Sequence, residues 1–229
     1  MLGQMQSQPL LISSLITHAE RHHGSTEIVS RRVEGDIHRS TWGQVSRRAR
    51  QVANALDSLH LAFGDRVATL AWNGYRHLEL YFGVSGTGRV LHTLNPRLHP
   101  EQLVWIVNHA DDRALCFDMT FLPLVQAVAS RCPGVKHWIA LCDADKLPAD
   151  SGIPGLTSYE AWVQALGDPD ALARIRVGYL GMQWTREWQL FQDAPDKLEQ
   201  RVPESGASPV LAGLRSAMRA AGSCSSCVA

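Results

Sequence analysis

Three histidines crowd one segment, VLHTLNPRLHPEQLVWIVNHADD at residues 90–112, and imidazole is a common ligand for zinc. A shared ion would need His92, His99 and His109 to converge on one point. The prolines argue against it. The residue before a proline is pushed out of the helical region, so 90–94 is expected as a strand and Asn95-Pro96 as a turn. Pro100 suits the first helical position, where its missing N–H costs nothing, and Glu101 then faces the positive end of the helix dipole. Leu103, Ile106, Val107 and Ala110 continue as the buried stripe of that helix. His99 sits at the helix entry, His109 far round its cylinder and His92 on another element, so these are expected to be structural histidines.

Other constellations meet similar objections. His18-Ala19-Glu20-Arg21-His22 sets two histidines four apart on one helical face. A zincin needs its glutamate directly after the first histidine; here it comes one residue late, and a solvated helix face is expected. Gly83-Val84-Ser85-Gly86-Thr87-Gly88 resembles a phosphate loop, but such a loop follows a strand and opens a helix. These glycines end a helix and precede a strand, which predicts a helix C-cap and close helix–sheet packing. Asp143 and Asp145 could converge on a divalent ion, yet they read better as acidic turn residues after a strand. Cys224 and Cys227 have half of a zinc spacing without a second pair downstream. Neither a G-x-S-x-G elbow nor a Walker lysine occurs.

The elements that would position these residues follow from periodicity. Residues 10–23 form an amphipathic helix, and 27–33 and 36–40 pair as a hairpin about Glu34-Gly35. Thr41 caps the next helix, with Gln44 three residues on. Trp42, Val45, Ala49, Val52, Leu56 and Leu59 make one face of it, and Arg47, Arg48, Arg50 and Asp57 lie opposite. Strands at 66–72, 89–94, 114–117 and 136–141 then alternate with helices at 76–85, 100–108 and 121–130. That alternation predicts βαβ crossovers: an α/β fold with a mostly parallel sheet and flanking helices.

Composition excludes several classes. The chain of 229 residues is 45% hydrophobic and 19% charged, enough for a sizeable core. A formal net charge of zero gives no basic field for nucleic acid. Five cysteines, an odd number, suit a reducing compartment better than a disulfide framework. The apolar stretch 9–16 has no basic segment before it and no small-residue cleavage site after it, and no run is long enough to span a bilayer. A cytoplasmic protein is expected.

Several separate blocks carry a family likeness: EIVSRR at 27–32, GDRVATLAWN at 64–73, RHLELYF at 76–82, VLHTLNPRL at 90–98, NHADD at 108–112 and LTSYEAWV at 156–163. In this order they resemble the N-terminal part of fatty-acyl-CoA synthetases, members of the adenylate-forming (AMP-dependent synthetase and ligase) superfamily. The likeness covers residues 1–163. Arg89 departs from it where a small residue is expected, and it would need a partner or an outlet to solvent.

The resemblance implies activation of a carboxylate with ATP and Mg²⁺ to an acyl-adenylate, then transfer to coenzyme A. It also implies that the responsible residues lie further on: a phosphate loop ending in Pro-Lys-Gly, a glutamate for Mg²⁺, an aspartate for the ribose and a lysine on a mobile C-terminal domain. None has a counterpart here, and Ser85-Gly86-Thr87-Gly88 matches only a scrap of the loop. The expected catalytic, cofactor-binding and metal residues of this chain are therefore none, with ATP, Mg²⁺, coenzyme A and fatty acid belonging to the intact family. Residues 164–229 lose the likeness and are expected as an unrelated, irregular or partly helical and poorly ordered tail, with short helices at 193–201 and 210–221. Interruption of the family sequence, by a frameshift, a gene-model error or a rearrangement, would explain it. The expected function is a truncated ATP-dependent fatty-acyl-CoA synthetase, inactive alone. A non-catalytic module pairing with an intact synthetase and a small nucleotide-binding α/β enzyme stay open, as does a homo-oligomer.

Overall fold

The structure is a computed structural model that describes residues 11–166. The expectations for 193–201, 210–221 and the Cys224–Cys227 pair lie outside the described residues. Chain order is α1 (Ile12–His23), β1 (Glu27–Arg31), β2 (Ile37–Thr41), α2 (Trp42–Asp57), β3 (Arg66–Leu70), α3 (Tyr75–Ser85), β4 (Val90–Thr93), α4 (Pro100–Ala110), β5 (Asp112–Phe117), α5 (Leu122–Ala129), β6 (His137–Ala140), β7 (Thr157–Ser158) and α6 (Tyr159–Leu166). Strands β1 and β2 form the antiparallel hairpin. The other five make one parallel sheet in the order β4-β3-β5-β6-β7. Helices alternate with its strands, and the fold is α/β as the periodicity predicts.

Each strand divides its side chains between two layers, because successive residues point to opposite faces. Val67, Ala114, Cys116, Ile139 and Leu141 meet Val52 and Leu56 of α2, Leu80 and Val84 of α3, and Trp162 and Val163 of α6. Ala68, Leu70, Leu115, Phe117, Trp138 and Ala140 meet Leu103 and Val107 of α4 and Val125 of α5. Full burial of one such side chain contributes about 1.5–3 kcal/mol, so these two layers supply most of the favourable free energy. A third, small cluster of Ile16, Val45 and Ala49 ties α1 to α2.

Local signals are met closely. Thr41 Oγ1 accepts from the Gln44 amide and the Gln44 side-chain oxygen accepts from the Thr41 amide, a complete capping box. His99 caps α4 in the same manner, its Nδ1 accepting from the Glu101 amide and its own amide donating to Gln102. One expectation changes. Gly83 packs helix on helix rather than helix on sheet: a Cβ there would stand 2.7 Å from Val52 and 2.9 Å from the Ala49 carbonyl on α2. Gly88 has φ +77° and lies against the Phe63 ring, a left-handed position next to a filled space that only glycine suits. In addition, the α2 side opposite its apolar stripe is not simply solvated: Arg50 pairs with Glu20 of α1, Asp57 with Arg89, and Arg48 reaches α3 and α6.

Cys116, Cys132 and Cys142 are all buried. Burial pushes the Cys116 thiol up to about 12 and the Cys142 thiol up to about 11. No helix among the described residues is long and apolar enough to cross a membrane.

Candidate functional site

In open α/β sheets, ligands bind beyond the carboxyl ends of the strands where the winding direction reverses. Here β3 leads to β4 on one side, and the chain then crosses back to place β5 on the other side of β3, so the reversal lies between β3 and β5. Beyond their ends stand Trp72 and Asp118. The Trp72 amide donates to Asp118 Oδ2 at 2.6 Å, and its indole packs against Phe121 with centroids 5.2 Å apart. His77, at the start of α3, links Thr69 Oγ1 at 3.0 Å to the Trp72 carbonyl at 3.2 Å. The crevice that remains, lined by Arg31, Trp72, Arg76, His77, Asp118 and their neighbours, holds about 30 Å³. Burial raises the Asp118 carboxyl to about 6 despite the amide that holds it.

Beside this crevice lies a dense polar seam among α2, α3, α6 and the hairpin. Its centre is Arg76, only 5% exposed. Arg76 Nε donates to Glu160 at 2.9 Å, Nη1 to Glu34 at 2.8 Å and to the Leu141 carbonyl at 3.0 Å, and Nη2 to Asp143 at 2.5 Å. Arg48 bridges Glu79 at 3.1 Å and Glu160 at 2.9 Å. Tyr159 donates to Glu79 at 2.8 Å and Tyr75 to Glu160 at 2.9 Å, while Arg32 spans Asp36 and Asp143. Burial pushes the Glu160 carboxyl up, but Arg48 and Arg76 outweigh it and hold the group below the usual carboxylate range. Burial keeps both tyrosine hydroxyls protonated far above neutrality. A cavity of about 550 Å³ opens onto the seam, lined by His38, Ser40, Gln44, Arg47 and Arg48 among others.

The residues singled out from sequence are dispersed rather than gathered. His92 Nδ1 donates to the buried Asp112 at 2.9 Å, and that hydrogen bond raises the imidazole above its ordinary value. His99 is a helix cap, and His109 stacks on Trp105 with centroids 4.5 Å apart. Glu20, between His18 and His22, is turned to α2, where Arg50 and Ser46 hold it. Asp143 is engaged by two arginines, whereas Asp145 pairs with Lys146. Arg89 finds the partner its position demands in Asp57, at 2.9 Å, with the Leu61 carbonyl at 3.1 Å. Sequence reasoning missed the seam. Its one visible trace was Arg76-His77-x-Glu79, a charged run on a helix with little amphipathic contrast, which is what a helix covered on nearly every side looks like.

Two stability measurements probe this region. Arg76→Met leaves Glu34, Asp143 and Glu160 buried without their common cation, so urea denaturation is expected to show a loss of about 3–5 kcal/mol. Asp118→Asn is expected to gain about 1–2 kcal/mol at pH 7, the rise to about 6 being discounted for the open side of the crevice. The folded-state value is raised, so the charged carboxylate opposes folding at neutral pH and wild-type stability climbs as pH falls through about 6. The asparagine variant, which still accepts from Trp72, should lack that climb between pH 7 and pH 5.

Comparisons with known proteins agree with this architecture. The family model for AMP-binding enzymes matches residues 15–175. The chain is 52% identical over 170 residues to 3-methylmercaptopropionyl-CoA ligase of Ruegeria lacuscaerulensis, covering 74% of this chain and 31% of that one. It is 45% identical to a medium-chain-fatty-acid–CoA ligase of Ectopseudomonas oleovorans, over 70% of this chain and 29% of the relative. Among solved structures, the anthranilate CoA ligase AuaEII in complex with anthranoyl-AMP superposes with a TM-score of 0.60 at 21% identity, covering 76% of this chain and 31% of its own, a likeness of fold. The chain thus spans about 31% of the length of relatives it matches. It belongs to the AMP-binding enzyme family.

Proposed function

We propose that the chain is the N-terminal α/β portion of an ATP-dependent fatty-acyl-CoA synthetase and does not catalyse acyl-CoA formation by itself. One observation carries this reading: the crevice at the sheet's reversal, where a nucleotide would sit in a self-sufficient enzyme, holds about 30 Å³. Ligand pockets for molecules of drug size run to about 300–1,000 Å³. The larger cavity does not fit the family's ATP and Mg²⁺ either. Among the described residues no glycine lines it to bring backbone amides to a phosphate, and Glu79, Asp143 and Glu160 are each already held by arginine. What they do is build a rigid scaffold whose carboxyl edge stays filled by Trp72 and Phe121. Free, buried thiols accord with a reducing cytoplasm as the setting.

Purified chain given ATP, Mg²⁺, coenzyme A and either a medium-chain or a long-chain fatty acid is expected to yield no acyl-CoA by thioester chromatography. Steady turnover would refute the proposal.

A second reading, a module that docks on a longer synthetase chain, draws on one feature. Trp72 and Val33 line the same crevice and are 47% and 41% exposed, so apolar surface sits where a neighbouring subdomain could cover it. Immobilised chain should then retain an intact relative from the family, and Trp72→Asp should abolish retention; failure of the wild-type chain to retain it removes this reading.

A further inference from the structure

The paired histidines of α1 are unsuited to zincin chemistry, yet their geometry has a simpler use. Glu20 faces α2, fixed by Arg50 and by Ser46 Oγ at 2.9 Å, and Ile16 on the same helix is 1% exposed. His18 and His22 each lie two positions from Glu20, about 200° round the helix, and both are exposed. Their ring centroids stand 4.5 Å apart.

That spacing can be compared with chelation. A metal–nitrogen bond of about 2.1 Å puts an ion roughly 3.2 Å from each ring centre, because the centre lies about 1.1 Å behind its nitrogen. Two such rings at a right angle are then about 4.5 Å apart, and at a tetrahedral angle about 5.2 Å. The observed separation is the one that two rings on an octahedral or tetragonal ion would have at a right angle. His23 is 5.9 Å from His18, beyond either value. Among the described residues no three histidine, cysteine or acidic side chains converge on a point, so the remaining positions would be water.

We propose that His18 and His22 form a two-imidazole clamp on the outer face of α1 for a divalent ion of Ni²⁺ or Cu²⁺ type. Imidazole suits both ions, and at a fixed set of nitrogen ligands affinity rises from Ni²⁺ to Cu²⁺. The clamp would cross-link one turn of a helix that already leans on α2, so its formation needs no rearrangement of the core.

Calorimetric titration of the full chain with Ni²⁺ tests this. The protein should carry no histidine tag and should bear Cys224→Ser and Cys227→Ser, since two thiols at that spacing offer rival ligands. Saturable binding of one ion per chain is expected, weakened at least tenfold by His18→Gln and by His22→Gln and changed less than twofold by His23→Gln. Unchanged melting temperatures of the metal-free variants would certify that each is folded. Absence of saturation in the parent at millimolar Ni²⁺, or binding as tight in His22→Gln as in the parent, overturns the proposal.

Discussion

One buried guanidinium joins nearly every element on one side of this protein. Arg76 sits at the start of α3 and spends its donors on Glu34 from the hairpin loop, the Leu141 carbonyl just after β6, Asp143 beyond it and Glu160 at the start of α6. A carboxylate moved from water into an apolar layer loses several kcal/mol of solvation, so these acids need cations at their places: Arg76 serves all three, with Arg32 also on Asp143 and Arg48 also on Glu160. Apolar burial supplies more total free energy than the seam, but it is non-directional and would tolerate helices sliding over the sheet. The seam does not tolerate sliding. Planar, fixed donor geometry makes arginine the residue suited to such a joint, and lysine in its place would lose most of the contacts.

The same joint explains why the hairpin and α6, distant in sequence, end up adjacent. Strand β7 has two residues and, among the described residues, pairs with β6 alone, too little ladder to hold α6 by itself. Tyr159 and Glu160 supply the missing anchorage, the first by donating to Glu79 and the second by accepting from Tyr75, Arg48 and Arg76. Helix α6 continues through Leu166.

How much of this was legible beforehand depends on whether the information is local. Helix caps, prolines and alternating apolar residues act over a few positions, and the α/β order, the Thr41 capping box and the places of His99 and Pro100 at the helix entry could be read directly, whereas the capping box of His99 with Gln102 could not. Resemblance added the family, through blocks whose order no composition could supply. What stayed hidden was long-range pairing of charge: Arg76 and Glu160 are widely separated in sequence, and nothing in either neighbourhood names the other. The glycine run was half legible, since its helix-ending role follows from spacing, whereas the close approach of Gly83 to α2 depends on which helix lies alongside.

Three thiols lie in the layers above and below the sheet, and their proton affinity is lifted by the apolar surroundings. Because only the thiolate attacks electrophiles, each is chemically silent while its layer stays shut. Cys116 belongs to the α2/α3/α6 layer and Cys132 and Cys142 to the α4/α5 layer, so the two sides of the molecule carry separate internal clocks for breathing. An alkylating reagent would register which layer parts first, without any foreign label being introduced.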